Sequence, residues 1–161
     1  MKKKTKDKLE RKWQNLPLHH IDACIVLEVL MENEKYETCE NYLNRVGHKY
    51  RGNISISALG EIFMTLFKKF DEEGVRQELF LFISRLIDKR KISFSSPRLK
   101  TYDIVKKIMR VETRAERMDS LNLANATTEN ADVFVTLDST FVGNKKLESA
   151  LKIKIKHPNE L

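Results

Sequence analysis

Residues 18–30 read LHHIDACIVLEVL: a short apolar run, an aspartate, then a second apolar run whose one charge is Glu28. Leu18 to Asp22 has the length of a strand. Cys24 to Met31 spaces Ile25, Val26, Leu27, Val29 and Leu30 so that a narrow polar stripe remains at Glu28 and Glu32, the pattern of a largely buried helix. A carboxylate at the end of a buried strand loses hydration and is costly unless its charge is used. Asp22 therefore marks both a strand–helix junction and a candidate site.

The same alternation continues outward. A helix is expected over about Lys35 to Lys49, with Tyr36, Cys39, Leu43 and Val46 at helical spacing, and a short strand over Asn53 to Ser57. Ser57 then serves as the cap of a helix from Ala58 to Phe70, which puts Glu61 in its first turns. Glu72 to Lys89 carries an apolar helical face, Ile92 to Phe94 a strand, and Leu99 to about Arg110 another helix. Thr113 to Glu116 has capping-box spacing, so a helix contains or begins near Asp119 and runs to Glu129. Val133 to Thr136 is the fourth strand and Lys152 to Ile155 the fifth. Strands alternating with helices predict an α/β fold, a mostly parallel sheet with helices on both faces.

In such sheets ligands bind beyond the C-terminal strand ends. Asp22 and Asp138 border that crevice if the fourth strand pairs with the first. Glu61 can lean in from the helix after the second strand. Asp119 joins them if its helix packs on the sheet, an approach that small Ala124 and Ala126 permit. The expectation is that Asp22, Asp119 and Asp138 converge within reach of one hydrated cation, with Glu61 at the rim.

Composition sets outer limits. A chain of 161 residues with 41% hydrophobic content fits one domain, and a net charge of +7 suits a polyanionic partner. Cys24 and Cys39 form no CxxC pair and have no histidine at zinc-finger spacing, so both read as small buried groups in a reducing cytosol. The run MKKKTKDKLERKW is charged without a following apolar region, and the most apolar stretch contains Glu28; neither a secretion signal nor a membrane span is expected. Residues 1–17 read as a basic extension and 18–161 as the domain.

The ordered set HHIDACIVLEV, SALGE, DSLNLANA and TLDSTF resembles the PIN-domain ribonucleases, which include the VapC-type toxins of toxin–antitoxin pairs. The terminal KIKHPNEL is similar to that family's closing strand. The resemblance implies a three-layer α/β/α fold with a five-stranded sheet in the order 3-2-1-4-5, and Mg²⁺- or Mn²⁺-dependent hydrolysis of RNA. A toxin would have a protein antitoxin as partner; a homodimer is left open. The resemblance departs at Ala23 and Cys24, where many members carry polar groups that support the first Asp.

Hard cations of this kind prefer oxygen ligands and keep several waters, so a few carboxylates plus substrate phosphate form a natural set. On this reading Asp22 and Asp138 are direct ligands, Asp119 a ligand or the base for the attacking water, and Glu61 binds through water or holds a second ion. Thr136 and Ser139 orient the acids. Arg110, Arg114 and Arg117, just upstream of Asp119, hold backbone phosphates, and Tyr50 or Trp13 could stack on bases. His19 and His20 are structural, at most one of them facing inwards. The alternative is a non-catalytic RNA-binding or assembly module, and a phosphatase-like domain is disfavoured because the first strand has no Asp-x-Asp.

Overall fold

The central strand β1 (Leu18–Ile21) is hydrogen-bonded on one side to β2 (Arg51–Ser55) and on the other to β4 (Val133–Val135). Strands β3 (Ile92–Ser95) and β5 (Lys154–Lys156) complete a five-stranded, all-parallel sheet in the order β3-β2-β1-β4-β5. The computed structural model describes residues 13–88 and 92–161.

Seven α-helices among the described residues cover the sheet on both faces. Helices α1 (Ala23–Leu30), α2 (Tyr36–Leu43), α3 (Ile56–Lys69) and α4 (Glu73–Asp88) close one core, which receives Ile21, Ile54, Val133 and Val135 from the strands. Helices α5 (Leu99–Val111), α6 (Arg117–Thr128) and α7 (Lys145–Leu151) close the other, around Phe134 and Ile155. Successive strand side chains point to opposite faces, so Val133 and Val135 enter one core and Phe134 the other. This is the expected three-layer α/β fold with the expected strand order.

A sheet covered on both faces has no wet side. His19 and His20 are accordingly both buried, where the sequence predicts at most one facing inwards. His19 stacks on Tyr50 with ring centres 4.1 Å apart, and the His20 ring centre lies 6.0 Å from that of Phe134, its register partner on the neighbouring strand. Tyr50 is itself buried, its hydroxyl donating to the Tyr42 carbonyl at 3.2 Å, so it presents no face to a nucleobase. Trp13 is half-buried under the Arg51 guanidinium, which donates through Nε to the Leu16 carbonyl at 3.0 Å. Residues 13–17 thus dock on the start of β2. The rest of the basic extension, residues 1–12, and the expected helix end at Lys89 lie outside the described residues.

Several element boundaries move. Helix α2 ends at Leu43 rather than Lys49, because Gly47 takes a positive φ of 83° and its amide turns back to the Tyr50 carbonyl at 2.8 Å. Strand β2 starts two residues early, and Ser55, not Ser57, caps α3 by accepting the Ala58 amide at 3.0 Å. No capping box forms at Thr113–Glu116; Glu116 precedes α6 without a side-chain cap. Helix α7 has no counterpart among the expected elements. Its seven residues bury just Leu147 and Leu151, too short a pattern for periodicity to show, and Asn144 caps it through the Leu147 amide at 3.1 Å. Lys152 then turns left-handed with φ 56°, which delays β5 to Lys154. No described helix is long and apolar enough to cross a membrane.

Candidate carboxylate site

Asp22 follows the last residue of β1, and its amide donates to the Val135 carbonyl at 3.0 Å, extending the β1–β4 pairing by one step. Its side chain caps α1: Oδ1 accepts the Ala23 amide at 2.9 Å and the Asn122 amide Nδ2 at 3.3 Å. Oδ2 accepts the Thr136 hydroxyl at 2.7 Å and the Cys24 thiol at 3.4 Å. Burial raises the Asp22 pKa above the ordinary range, and these four donors oppose the rise by favouring the ionised form.

Each remaining acid arrives from a different element. Glu61, on α3, is half-buried, and its Oε2 is enclosed without a hydrogen-bond partner among the described residues. Burial and then the Asp22 charge raise its pKa. Asp119 sits in the first turn of α6, where burial first, then Asp22, Asp138, Glu61 and Glu116, push its pKa up to about 7. Asp138 lies beyond β4; its amide donates to Thr136 Oγ1 at 3.1 Å, and its Oδ1 accepts the Thr140 amide at 2.7 Å.

Asp22, Glu61, Asp119 and Asp138 line one open cleft of about 430 Å³, with Cys24, Arg114, Glu116, Leu137 and Thr140. They share that cleft without forming a closed ligand set, for among the described residues no three His, Cys, Asp or Glu side chains are gathered tightly enough to hold an ion directly. Like charges resist closer approach, by roughly 4 kcal/mol per close pair at an effective dielectric near 20. The donor set nonetheless fits a hard divalent cation. It offers carboxylate oxygens, an enclosed Glu61 Oε2 with no hydrogen-bond partner among the described residues, and an Asp119 whose proton affinity is raised by burial and then by its acidic neighbours. A hydrated ion reaches spread carboxylates through its own waters.

The other expected participants divide. Thr136 is fully buried between Asp22 and Asp138. Ser139 is exposed, and the neighbouring Thr140 supplies the amide that turns Asp138. Arg114 lines the cleft and pairs with Glu112 at 3.0 Å, while Arg110 and Arg117 are exposed and lie outside the cleft lining. Asn122, Ser55, Ser57 and the Cys24 thiol are polar contributors that the sequence does not announce. Cys24 reads in the sequence as a small buried group and a loss of support for Asp22, yet its thiol donates to that carboxylate. Asn122 carries one local signal: it follows Asp119 by three residues and so shares a helix face with it.

No family model and no curated protein matches the sequence. Solved structures do. VapBC2 from Rickettsia felis, bound to a DNA fragment from its promoter, superposes with a TM-score of 0.65 at 17% identity over 87% of this chain and 98% of that one. FitAcB from Neisseria gonorrhoeae gives 0.60 at 12% identity over 89% and 99%. The sarcin-ricin loop cleaving toxin VapC20 from Mycobacterium tuberculosis gives 0.57 at 10% identity over 75% and 90%. At these identities the likeness is one of fold, and the fold of this chain is the PIN-domain fold of the VapBC2 and VapC20 structures.

Proposed function

We propose that this chain is a divalent-cation-dependent endoribonuclease that hydrolyses RNA phosphodiester bonds, and that it acts as the toxin of a toxin–antitoxin pair. The observation that carries the reading is the meeting of Asp22, Glu61, Asp119 and Asp138 in one cleft beyond the C-terminal ends of β1 and β4. The fold likeness to VapBC2, FitAcB and a sarcin-ricin loop cleaving toxin supports it, as does the net charge of +7.

Asp22, Asp119 and Asp138, with Glu61, would hold Mg²⁺ or Mn²⁺. Such an ion, when bound, lowers the pKa of a water and offsets charge on the phosphate. The rest falls to the chain. Asp22 is held in place by its four donors, which favour its ionised form against the cost of burial. Asp119, on the rim of α6, takes up the proton of the attacking water at its carboxylate. Arg114, at the cleft edge, binds a backbone phosphate, with Arg110 and Arg117 as further basic contacts along the approach. Thr136 keeps Asp22 and Asp138 in register.

The test is RNA cleavage by the full chain with Mn²⁺, with Mg²⁺ and with a chelator, beside Asp22→Asn and Asp138→Asn. Cleavage that requires the cation and falls at least a hundredfold in both variants is the expected result. Cation-independent RNA binding with no cleavage would replace this reading by a non-catalytic RNA-binding module.

A further inference from the structure

Asn122 is fully buried on α6, and both polar atoms of its amide have partners at the site. Its Oδ1 accepts the Ser55 and Ser57 hydroxyls, both at 3.0 Å, and those hydroxyls lie 2.9 Å from each other. Its Nδ2 donates to Asp22 Oδ1 at 3.3 Å. A carboxylate oxygen takes the amide NH₂ as its donor, which turns the amide oxygen toward the two serine hydroxyls, and these can donate to it and hold the side chain in that orientation. The link spans the end of β2, the start of α3, the middle of α6 and the end of β1.

We infer that Asn122, oriented by Ser55 and Ser57, is a positioning residue that aims the Asp22 carboxylate at the cation site of the cleft. This rests on the ribonuclease reading. A neutral donor is well matched to that role, because it fixes the carboxylate without cancelling the charge that a cation needs, as a lysine or arginine would, and without adding the repulsion of another acid. It also stands where the sequence beside Asp22 is apolar, since Ala23 brings no side-chain donor. Burial of an amide does not by itself create such a network. Asn125, one turn further along the same helix and equally buried, has no partner for either amide atom among the described residues.

The test uses the full chain stripped of metal, with Mn²⁺ affinity read from the electron paramagnetic resonance of free Mn²⁺, and cleavage kinetics alongside. Asn122→Ala should weaken Mn²⁺ binding about tenfold or more. At fixed Mn²⁺ its kcat should fall with KM for RNA unchanged, and raising Mn²⁺ should recover most of the loss. Ser57→Ala, at a half-exposed position, should weaken binding less, and it carries the test if Asn122→Ala does not fold. Asn125→Ala should leave Mn²⁺ affinity unaltered. Wild-type affinity in both Asn122→Ala and Ser57→Ala, or an equal loss in Asn125→Ala, would overturn the inference. Wild-type protein that binds Mn²⁺ but cleaves no RNA would overturn the ribonuclease reading alone, and wild type that binds no Mn²⁺ would overturn both.

Discussion

The Thr136 hydroxyl donates to Asp22 Oδ2 at 2.7 Å and accepts the Asp138 amide at 3.1 Å, so one oxygen ties together two acids that are distant in sequence. The parallel register makes this contact. Ile21 pairs with Val135, which sets the next residue of each strand side by side at the C-terminal edge. Thr136→Val keeps the shape but removes a donor from a buried carboxylate and leaves an amide unpaired. It should cost about 1–3 kcal/mol in chemical denaturation and weaken Mn²⁺ binding, and Thr136→Ser should restore both.

Asp119 makes stability depend on pH in a direction opposite to that of a salt-bridged acid. Its folded pKa of about 7 lies above the ordinary 3.8, so between those values the folded state holds a proton that the unfolded state has released. Its contribution is fully present below pH 3.8 and is lost as pH rises through 7. The metal-free thermal midpoint should therefore decline across this window, and Asp119→Asn should flatten that part of the profile. Mn²⁺ should raise the wild-type midpoint most above pH 7, where the carboxylate is free to bind it.

The buried histidines act in the reverse sense. Burial lowers the pKa of both His19 and His20 to about 4 from 6.5, so the unfolded chain binds protons that the folded chain does not. Their contribution is present above pH 6.5 and is lost as pH falls toward 4. In the Asp119→Asn background, acid denaturation should thus set in between pH 6.5 and 4. Replacing His20 with Gln, which does not titrate, should make that onset shallower in a pH series of thermal melts.

Arg114 is the basic residue of the three upstream of Asp119 that lines the cleft, and removing it should be felt by any RNA sequence alike. Arg114→Ala should weaken binding and reduce the magnitude of the salt slope by about 0.7, the value for one lost phosphate contact on a single strand. Arg110→Ala should change the slope less. Affinities measured across a range of salt concentrations check both, and an unaltered slope in Arg114→Ala would remove it from the phosphate contacts.

By itself the sequence determined the alternation of strands and helices and the four acids beside their apolar runs. Both are local: hydrophobic periodicity reports which face of an element is buried, and Asp22 and Asp138 sit next to the strand ends that make them conspicuous. Where a signal was short or ambiguous it failed, as for the seven-residue α7, and for Ser55, whose capping role passed unseen because Ser57 offers the same chemistry two residues later.

Only the tertiary structure decided how the acids are supported and how their charges interact. Asn122 reaches Asp22 across 100 positions of sequence and Thr136 across 114, contacts that exist because α6 packs over the strand ends and β4 runs parallel to β1. The raised proton affinity of Asp119 likewise has mainly non-local causes, the nearby Glu116 being the smallest contributor. It comes chiefly from burial and from acids on separate elements, and both Coulomb energy and dehydration depend on distances and enclosure that a linear chain does not possess.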